Sequence, residues 1–123
     1  MKVVIAGSRI ISDYNLVEIA VIHSGFKISE VVSGTARGAD RLGEQYALRH
    51  SLPIRRFPAD WSKGRSAGMQ RNRQMAEYAD AVIVIWDGKS PGSANMIRTA
   101  MALDKPVYVL RTNGGNRYQE SLP

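Results

Sequence analysis

Short apolar runs alternate along the chain with stretches in which apolar residues recur every three or four positions. The runs are rich in β-branched residues, which is typical of strands that are buried on both faces of a sheet. The three- and four-residue spacing predicts helices with one apolar face. The predicted strands are residues 3–6, 28–33, 54–57, 81–86 and 107–110, and the predicted helices are residues 13–23, 39–50, 68–79 and 93–103.

Capping and breaking residues fit these boundaries. Asp13 or Ser12 is the expected cap of the first helix, Gly25 its expected stop, and Pro53 ends the second helix. Strands that alternate with helices predict an α/β fold, in which a mostly parallel sheet of about five strands carries helices on both faces. We expect residues 1–110 to form one domain and residues 111–123 a polar C-terminal tail.

The composition is that of a globular domain with an excess of basic residues. The chain has 123 residues, of which 44% are hydrophobic, and no cysteine. Neither a signal peptide nor an 18-residue apolar segment is visible, so we expect a cytoplasmic protein without a membrane partner. The formal net charge is +6, carried mostly by arginine. This charge suggests a phosphorylated small molecule or a nucleic acid as partner, but on charge alone we slightly favour a solvated basic surface.

Three of the predicted strands end in glycine-containing turns with hydroxyl or charged residues, at positions 7–9, 33–38 and 87–93. The carboxyl ends of parallel strands share one edge of a sheet, where ligands bind. Small residues let backbone amides approach an anion, and a following helix N-terminus adds partial positive charge. Tight turns alone would explain any single loop, but all three together predict a phosphate site. The predicted ligand-binding residues of these loops are Gly7, Ser8, Arg9, Ser33, Gly34, Thr35, Arg37, Gly38, Asp87, Gly88, Ser90, Gly92 and Ser93.

Several single residues have two interpretations. Asp40 either complements the dipole of its helix or accepts a hydrogen bond from a ribose hydroxyl. Asp87 follows the most apolar strand, where a ligand or a loop amide must compensate a carboxylate, and we slightly favour a functional role. Trp61 either stacks on a base or packs against its own loop. No metal-ligand spacing is evident, so we predict neither a metal nor a cofactor.

The predicted third helix carries polar residues on its apolar stripe. Asn72 shares that stripe with Met69, so Arg71 and Asn72 are predicted to reach the strand ends and to contact the ligand. Methionines are flexible core-filling residues. We therefore expect the set Met69, Met75, Met96 and Met101 to lie in the core.

Five segments resemble the small single-domain members of the SLOG superfamily, which are related to bacterial YpsA-like proteins and often encoded by phages and mobile elements. They are VVIAGSR, VSGTARGADRLGEQYA, PADW, AGMQRNRQMAEYADAVIVIWDGKSPGSANMI and KPVYVL. The resemblance runs from Lys2 to about Leu110. It implies a Rossmann-like three-layer fold that binds a nucleotide or a nucleotide-derived ligand, such as an ADP-ribose-like or cyclic nucleotide signal.

The superfamily includes phosphoribohydrolases, formerly called lysine decarboxylases, which cleave nucleoside monophosphates. Residues 71–75 resemble their Arg-Lys-x-x-Met motif, with Asn72 in place of lysine. Residues 92–96 resemble the end of their Gly-Gly-x-Gly-Thr-x-x-Glu motif, with Ser93 for threonine and Met96 where the catalytic glutamate would stand. Glycosidic cleavage needs a carboxylate. Either Asp87 or Asp40 replaces it, or the protein binds without cleaving.

Three functions remain open at this point. The first is binding of a nucleotide-derived ligand, with phosphates on the loop amides and arginines, and with Asp40 or Asn95 on ribose hydroxyls. The second is an N-glycosidase or phosphoribohydrolase at the same site, so enzymatic activity is undecided. The third is single-stranded nucleic-acid binding, as in the DNA-processing protein A family, and it ranks last because few aromatic platforms are available. Relatives often dimerise, and a homo-oligomer is left open.

Overall fold

Strands and helices alternate through residues 1–113, the part of the chain that the computed structural model describes. The elements in chain order are β1 (Lys2–Gly7), α1 (Asn15–Ser24), β2 (Glu30–Ser33), α2 (Ala39–Arg49), β3 (Ile54–Arg56), a 3₁₀ helix (Trp61–Lys63), α3 (Ala67–Tyr78), β4 (Ala81–Trp86), α4 (Pro91–Ala102) and β5 (Val107–Arg111).

The five strands form one sheet in the order β3-β2-β1-β4-β5, and every neighbouring pair is parallel. The α/β, Rossmann-like fold predicted from the sequence is therefore confirmed. The chain builds outward from β1 through β2 to β3, and then crosses back to add β4 and β5 on the other side. The strand order thus reverses between β1 and β4, and a crevice opens at their carboxyl ends.

Two apolar layers hold the helices to the sheet. On one face, Val3, Ile5 and Ile83 pack with α1 and α2. On the other face, Val4 and Val82 pack with α3 and α4. Because both faces of β1 and β4 are covered, these strands are apolar at consecutive positions, which explains the unbroken runs in the sequence.

Several element boundaries differ from the prediction by one or two residues. Tyr14 takes the N-cap position of α1, whereas Asp13 Oδ1 accepts a hydrogen bond from the amide of Asn15 at 3.0 Å. The expected stop at Gly25 is confirmed, since it takes the left-handed conformation with φ of 71°. Strand β5 includes Arg111, one residue past the expected domain end, and residues 114–123 of the predicted tail lie outside the described residues.

The expectation that four methionines fill the core is half wrong. Met75 and Met96 are buried, but Met69 is 58% exposed and Met101 is 62% exposed. Met69 lies near the start of α3 and lines a cavity at the strand ends, and Met101 lies in the last turn of α4. Within residues 1–113, every helix is too short to cross a membrane.

Candidate functional site

A cavity of about 590 Å³ lies at the carboxyl ends of β1 and β4, where the strand order reverses. Its wall is formed by the turn after β1, the 3₁₀ helix, one face of α3 and the start of α4. Ten of the residues predicted from the sequence line it: Gly7, Ser8, Arg9, Asp40, Arg71, Asn72, Ser90, Gly92, Ser93 and Asn95.

The other predicted residues lie behind or beside this wall. They are Ser33, Gly34, Thr35, Arg37, Gly38, Asp87 and Gly88. Arg37 is exposed to solvent, and Ser33 and Gly34 are buried. Loops 7–9, 33–38 and 87–93 do meet at one edge of the sheet, but the bend at 33–38 supports the cavity and contributes only Ala36 to its lining.

The floor of the cavity is the end of β1, which is fixed on both sides. A Cβ at Gly7 would stand 2.0 Å from the carbonyl oxygen of Ile85, so no side chain fits at this position. Ser8 is buried and donates its amide to the Ile85 carbonyl at 2.9 Å. The Ser8 carbonyl accepts the amide of Ala39, the first residue of α2, at 3.2 Å. The floor is therefore a rigid backbone surface.

The bend at 33–38 holds the first turn of α2 against this floor. Ser33 Oγ accepts the amide of Thr35 at 3.1 Å and donates to Glu44 of α2 at 2.7 Å. Gly38 has φ of 77°, and a Cβ there would lie 2.4 Å from the Ser8 carbonyl oxygen. Only glycine allows this close approach of two loops. The glycines of this bend thus serve packing between chain segments.

Asp40 is an acid buried in the cavity wall, with only 4% of its surface exposed. Its Oδ2 accepts the amide of Ala36 at 3.1 Å. Burial raises the pKa of Asp40, and the amides of Ala36 and Gly7 together with the Arg71 guanidinium oppose that rise. A carboxyl group in this setting can accept a hydrogen bond from a ligand hydroxyl or, once protonated, donate one.

Arg71 joins α3 to the bend after β2. Its Nη1 donates a short hydrogen bond to the Gly34 carbonyl, and its Nε donates to Asn72 Oδ1 at 3.2 Å. A Cβ at Gly34 would lie 2.7 Å from both Arg71 Nη1 and Asp40 Oδ2, so the glycine makes room for this pair. Burial lowers the pKa of Arg71 and Asp40 opposes this change, but an arginine retains its charge in proteins.

Asn72 connects the two helices that flank the cavity. It is 7% exposed, and its Nδ2 donates to the Gly92 carbonyl at 3.2 Å and to Asn95 Oδ1 at 3.0 Å. The first turn of α4 is thereby held in place next to α3. Amides in the first turn of a helix have no partner within the helix and carry partial positive charge. Pro91, Gly92 and Ser93 of that turn all line the cavity.

Asp87 directs its carboxylate to its own loop. Its Oδ1 accepts the amides of Lys89 at 2.9 Å and Ser90 at 2.8 Å, and its Oδ2 accepts the Ser90 hydroxyl at 3.0 Å. Burial favours a higher pKa for Asp87, but these hydrogen bonds outweigh it and hold the pKa below its ordinary value. The partners of this carboxylate are thus the amides and the hydroxyl of its own loop.

Several lining residues were not among the ligand-binding residues predicted from the sequence. They are Ala6, Ile10, Ala36, Arg65, Gly68, Met69, Met75, Pro91, Met96 and Arg98, while Trp61 had two interpretations. The sequence did contain an indication that Arg98 lines the site, because residues 91, 95 and 98 lie on one face of a helix and Asn95 was a predicted site residue. A signal for Arg65 was its place in the longest irregular segment of the chain.

The lining is strongly cationic. Of the lining residues within the described range, Arg9, Arg65, Arg71 and Arg98 are basic, and Asp40 is the one acid. No group of three or more acidic or histidine side chains in residues 1–113 could hold a metal ion. The cavity is therefore suited to an anionic organic ligand.

A parallel sheet with the order 3-2-1-4-5 and a cavity at its switch point defines a Rossmann-like α/β domain. Residues 1–64, just over half of the chain, match the model of the family described as YspA, cpYpsA-related SLOG. The chain belongs to this family, as the sequence resemblance indicated. No curated protein and no solved structure matches it.

Proposed function

We propose that the protein binds a nucleotide or a nucleotide-derived ligand, such as an ADP-ribose-like or cyclic nucleotide signal, in the cavity between β1 and β4. The observation that carries the proposal is the combination of four arginines with the N-terminus of α4 around one cavity of about 590 Å³. This volume falls in the range of small-molecule sites. Membership of the SLOG family supports a ligand of this class.

The cavity offers separate partners for the parts of such a ligand. Phosphate oxygens suit the amides at the start of α4 and the guanidinium groups of Arg71 and Arg98, because charge-assisted hydrogen bonds are the strongest available. Ribose hydroxyls suit Asp40 and Asn95, which offer acceptor oxygens in the wall. One cavity thus offers cationic groups and amides to the phosphates, and acceptor oxygens to the ribose hydroxyls.

Cleavage of the N-glycosidic bond is the second candidate function, and Asp40 is the residue that favours it. Asp40 lines the cavity and its pKa is raised by burial, which suits an acid-base group. Met96, which stands where the phosphoribohydrolase motif has glutamate, also lines the cavity but is an uncharged thioether. Asp87 is a weaker candidate, because its carboxylate oxygens accept three hydrogen bonds from its own loop.

Single-stranded nucleic-acid binding has less support. It needs several aromatic platforms along a basic groove. Among the candidates Trp61, Tyr78 and Trp86, Trp61 alone is a cavity-lining residue. Tyr78 packs against Phe57 with ring centroids 5.5 Å apart, and Trp86 Nε1 donates to the Ser90 carbonyl at 3.1 Å. The fourth candidate, Tyr118, lies outside the described residues.

Calorimetric titration with nucleoside mono- and diphosphates, ADP-ribose and cyclic nucleotides tests the proposal. The most informative variant is Arg98→Ala, because Arg98 is an exposed lining residue. A charge-assisted contact contributes about 1.5–3 kcal/mol, so we expect a loss of affinity of about tenfold or more.

The matched control is Arg49→Ala. Arg49 is also exposed, but its guanidinium lies 4.2 Å from the ring centre of Tyr14, outside the cavity wall. We expect this variant to bind as the wild type does. Equal losses in both variants would contradict a defined site and would favour a diffuse attraction to polyanions. Absence of binding to every compound would refute the proposal.

A further inference from the structure

Three large apolar side chains in the lining of the cavity are exposed, although exposure of such groups has a hydration cost. Trp61 is 57% exposed, Met69 is 58% exposed and Ile10 is 55% exposed, and all three line the cavity. We call this group the apolar rim. Exposed apolar side chains in the wall of a cavity that also carries arginines are typical of a surface that an apolar part of a ligand covers.

Trp61 is held in a defined position. It begins the 3₁₀ helix, whose N-cap Asp60 accepts the amide of Ser62 at 3.2 Å and its hydroxyl at 2.5 Å. The indole ring lies against α3 at Gly68, where an added Cβ would stand 3.3 Å from Cη2 of the ring. Glycine at this point lets the indole approach the helix closely, and a large part of the ring still remains open to solvent.

The surroundings of the apolar rim narrow the choice of occupant. Arg9, Arg65 and Arg98 are exposed lining residues of the same cavity. A second copy of this chain would bring further positive charge to these arginines, since the chain has a formal net charge of +6. A ligand that is planar and apolar at one end and anionic at the other satisfies both the rim and the arginines.

We infer that the apolar rim is the base subsite, in which the indole of Trp61 stacks on the heterocyclic base of the ligand while Met69 and Ile10 cover its edges. This inference rests on the proposed function and adds the role of specificity residue for Trp61. Stacking on an indole accepts every base, since each base has a π face. The subsite therefore distinguishes ligands with a base from sugar phosphates without one, and it favours purines over pyrimidines through their larger area.

The experiment compares AMP, GMP, CMP and UMP with ribose 5-phosphate, which has the same charged end but no base. Affinities are measured by calorimetry for the wild type and for Trp61→Ala, Trp61→Phe, Met69→Ala and Met101→Ala. Met101→Ala is the matched control, because Met101 is 62% exposed in the last turn of α4, outside the cavity wall. Tryptophan fluorescence is recorded in parallel, with Trp61→Phe separating the signal of Trp61 from that of Trp86.

We expect the wild type to bind the nucleotides more tightly than ribose 5-phosphate, with quenching of fluorescence that Trp61→Phe abolishes. Trp61→Ala is expected to weaken nucleotide binding about tenfold or more and to leave ribose 5-phosphate binding unchanged. Trp61→Phe should retain most of the affinity, Met69→Ala should lose part of it, and Met101→Ala none.

The outcomes separate the two proposals. Equal affinity of the wild type for nucleotides and ribose 5-phosphate, or equal losses for both in Trp61→Ala, would overturn the base subsite and leave the anion site standing. Unchanged nucleotide affinity in Trp61→Ala would overturn it as well. If the wild type binds none of these compounds and none of the nucleoside diphosphates, ADP-ribose or cyclic nucleotides, the proposed function itself fails, and the base subsite fails with it.

Discussion

Asn72 on α3 donates a hydrogen bond from its Nδ2 to Oδ1 of Asn95 on α4, across a distance of 3.0 Å. The same amide nitrogen donates to the Gly92 carbonyl, so one side chain fixes the spacing of the two helices that flank the cavity. Neither helix is held here by apolar packing alone. The geometry of the cavity therefore depends on this amide.

We expect Asn72→Asp to destabilise the fold and to weaken ligand binding together. The substitution keeps the shape of the side chain, but it removes both donor hydrogens and turns an oxygen towards the Gly92 carbonyl. Leaving buried polar groups without partners costs about 1–3 kcal/mol. Urea denaturation measures the loss. Asn15→Asp is the control, because Asn15 is exposed at the start of α1, where a negative charge is favourable. An unchanged denaturation midpoint in Asn72→Asp would contradict this role.

Arg71 and Arg37 were both predicted from the sequence to bind phosphate, and the structure distinguishes them. Arg71 lines the cavity, whereas Arg37 is exposed on the bend beside it. We expect Arg71→Ala to reduce nucleotide affinity about tenfold or more and Arg37→Ala to reduce it clearly less. Calorimetry at two salt concentrations provides the comparison, because salt screens the contribution of an exposed charge more strongly. A larger loss in Arg37→Ala would place the phosphate outside the cavity.

We expect the wild type to release no free base from purine nucleoside monophosphates over hours, under conditions in which it binds a nucleotide. Met96 stands where the hydrolases have their glutamate, and one positioned catalytic group contributes about 10²–10⁴ in rate. Chromatographic detection of free base is the measurement. Base release that appears only in Met96→Glu would identify this carboxylate as the missing group.

Two aspartate variants show which carboxylate acts if the wild type does cleave. Release that Asp40→Asn abolishes would establish the enzyme and assign the acid to the cavity wall. Release that Asp87→Asn abolishes, with Asp40→Asn unaffected, would contradict the priority given to Asp40. Both variants are checked for folding by circular dichroism.

Much of the fold could be predicted from the sequence, because both faces of the sheet are covered and the strands are unbroken apolar runs. The ends of elements were less accurate where a side chain binds an amide at the helix start without being its N-cap, as Asp13 does before α1. The edge of the sheet at which the candidate site lies was predictable, because the carboxyl ends of parallel strands lie together at one edge. The supporting role of Gly34 and Gly38 was not, because it depends on contacts with Arg71 and Ser8 that are distant in sequence.

Stability between about pH 3 and pH 7 provides a further prediction. The pKa of Asp87 is lowered in the folded state, below the value of about 3.9 for an unperturbed aspartate. The stability that it contributes is present above the unfolded pKa and is lost as the pH falls through the folded pKa. We expect Asp87→Asn to flatten the decrease in the urea midpoint below about pH 4. The decrease does not vanish, because the pKa values of Glu18, Asp60 and Asp80 are also lowered.

Asp40→Asn is expected to change the pH dependence of stability in the opposite direction from Asp87→Asn. The pKa of Asp40 is raised, so the folded state holds its proton longer than the unfolded state does. Its contribution to stability is largest at low pH and decreases as the pH rises through the folded pKa. Asp40→Asn should therefore make stability rise more steeply with pH above about pH 4. A parallel shift of the whole curve in either variant would contradict the assignment.

The backbone contact between Gly7 and Ile85 has a consequence for the redesign of this protein. A side chain at position 7 would collide with the Ile85 carbonyl of β4. We therefore expect every functional variant to keep Gly7 and the cavity floor that it forms. Ile10, Trp61, Met69 and Arg98 are exposed on the wall, so we expect their replacement to leave the sheet intact. A library that randomises these four positions and keeps the cavity floor would change ligand specificity without changing the residues on which folding depends.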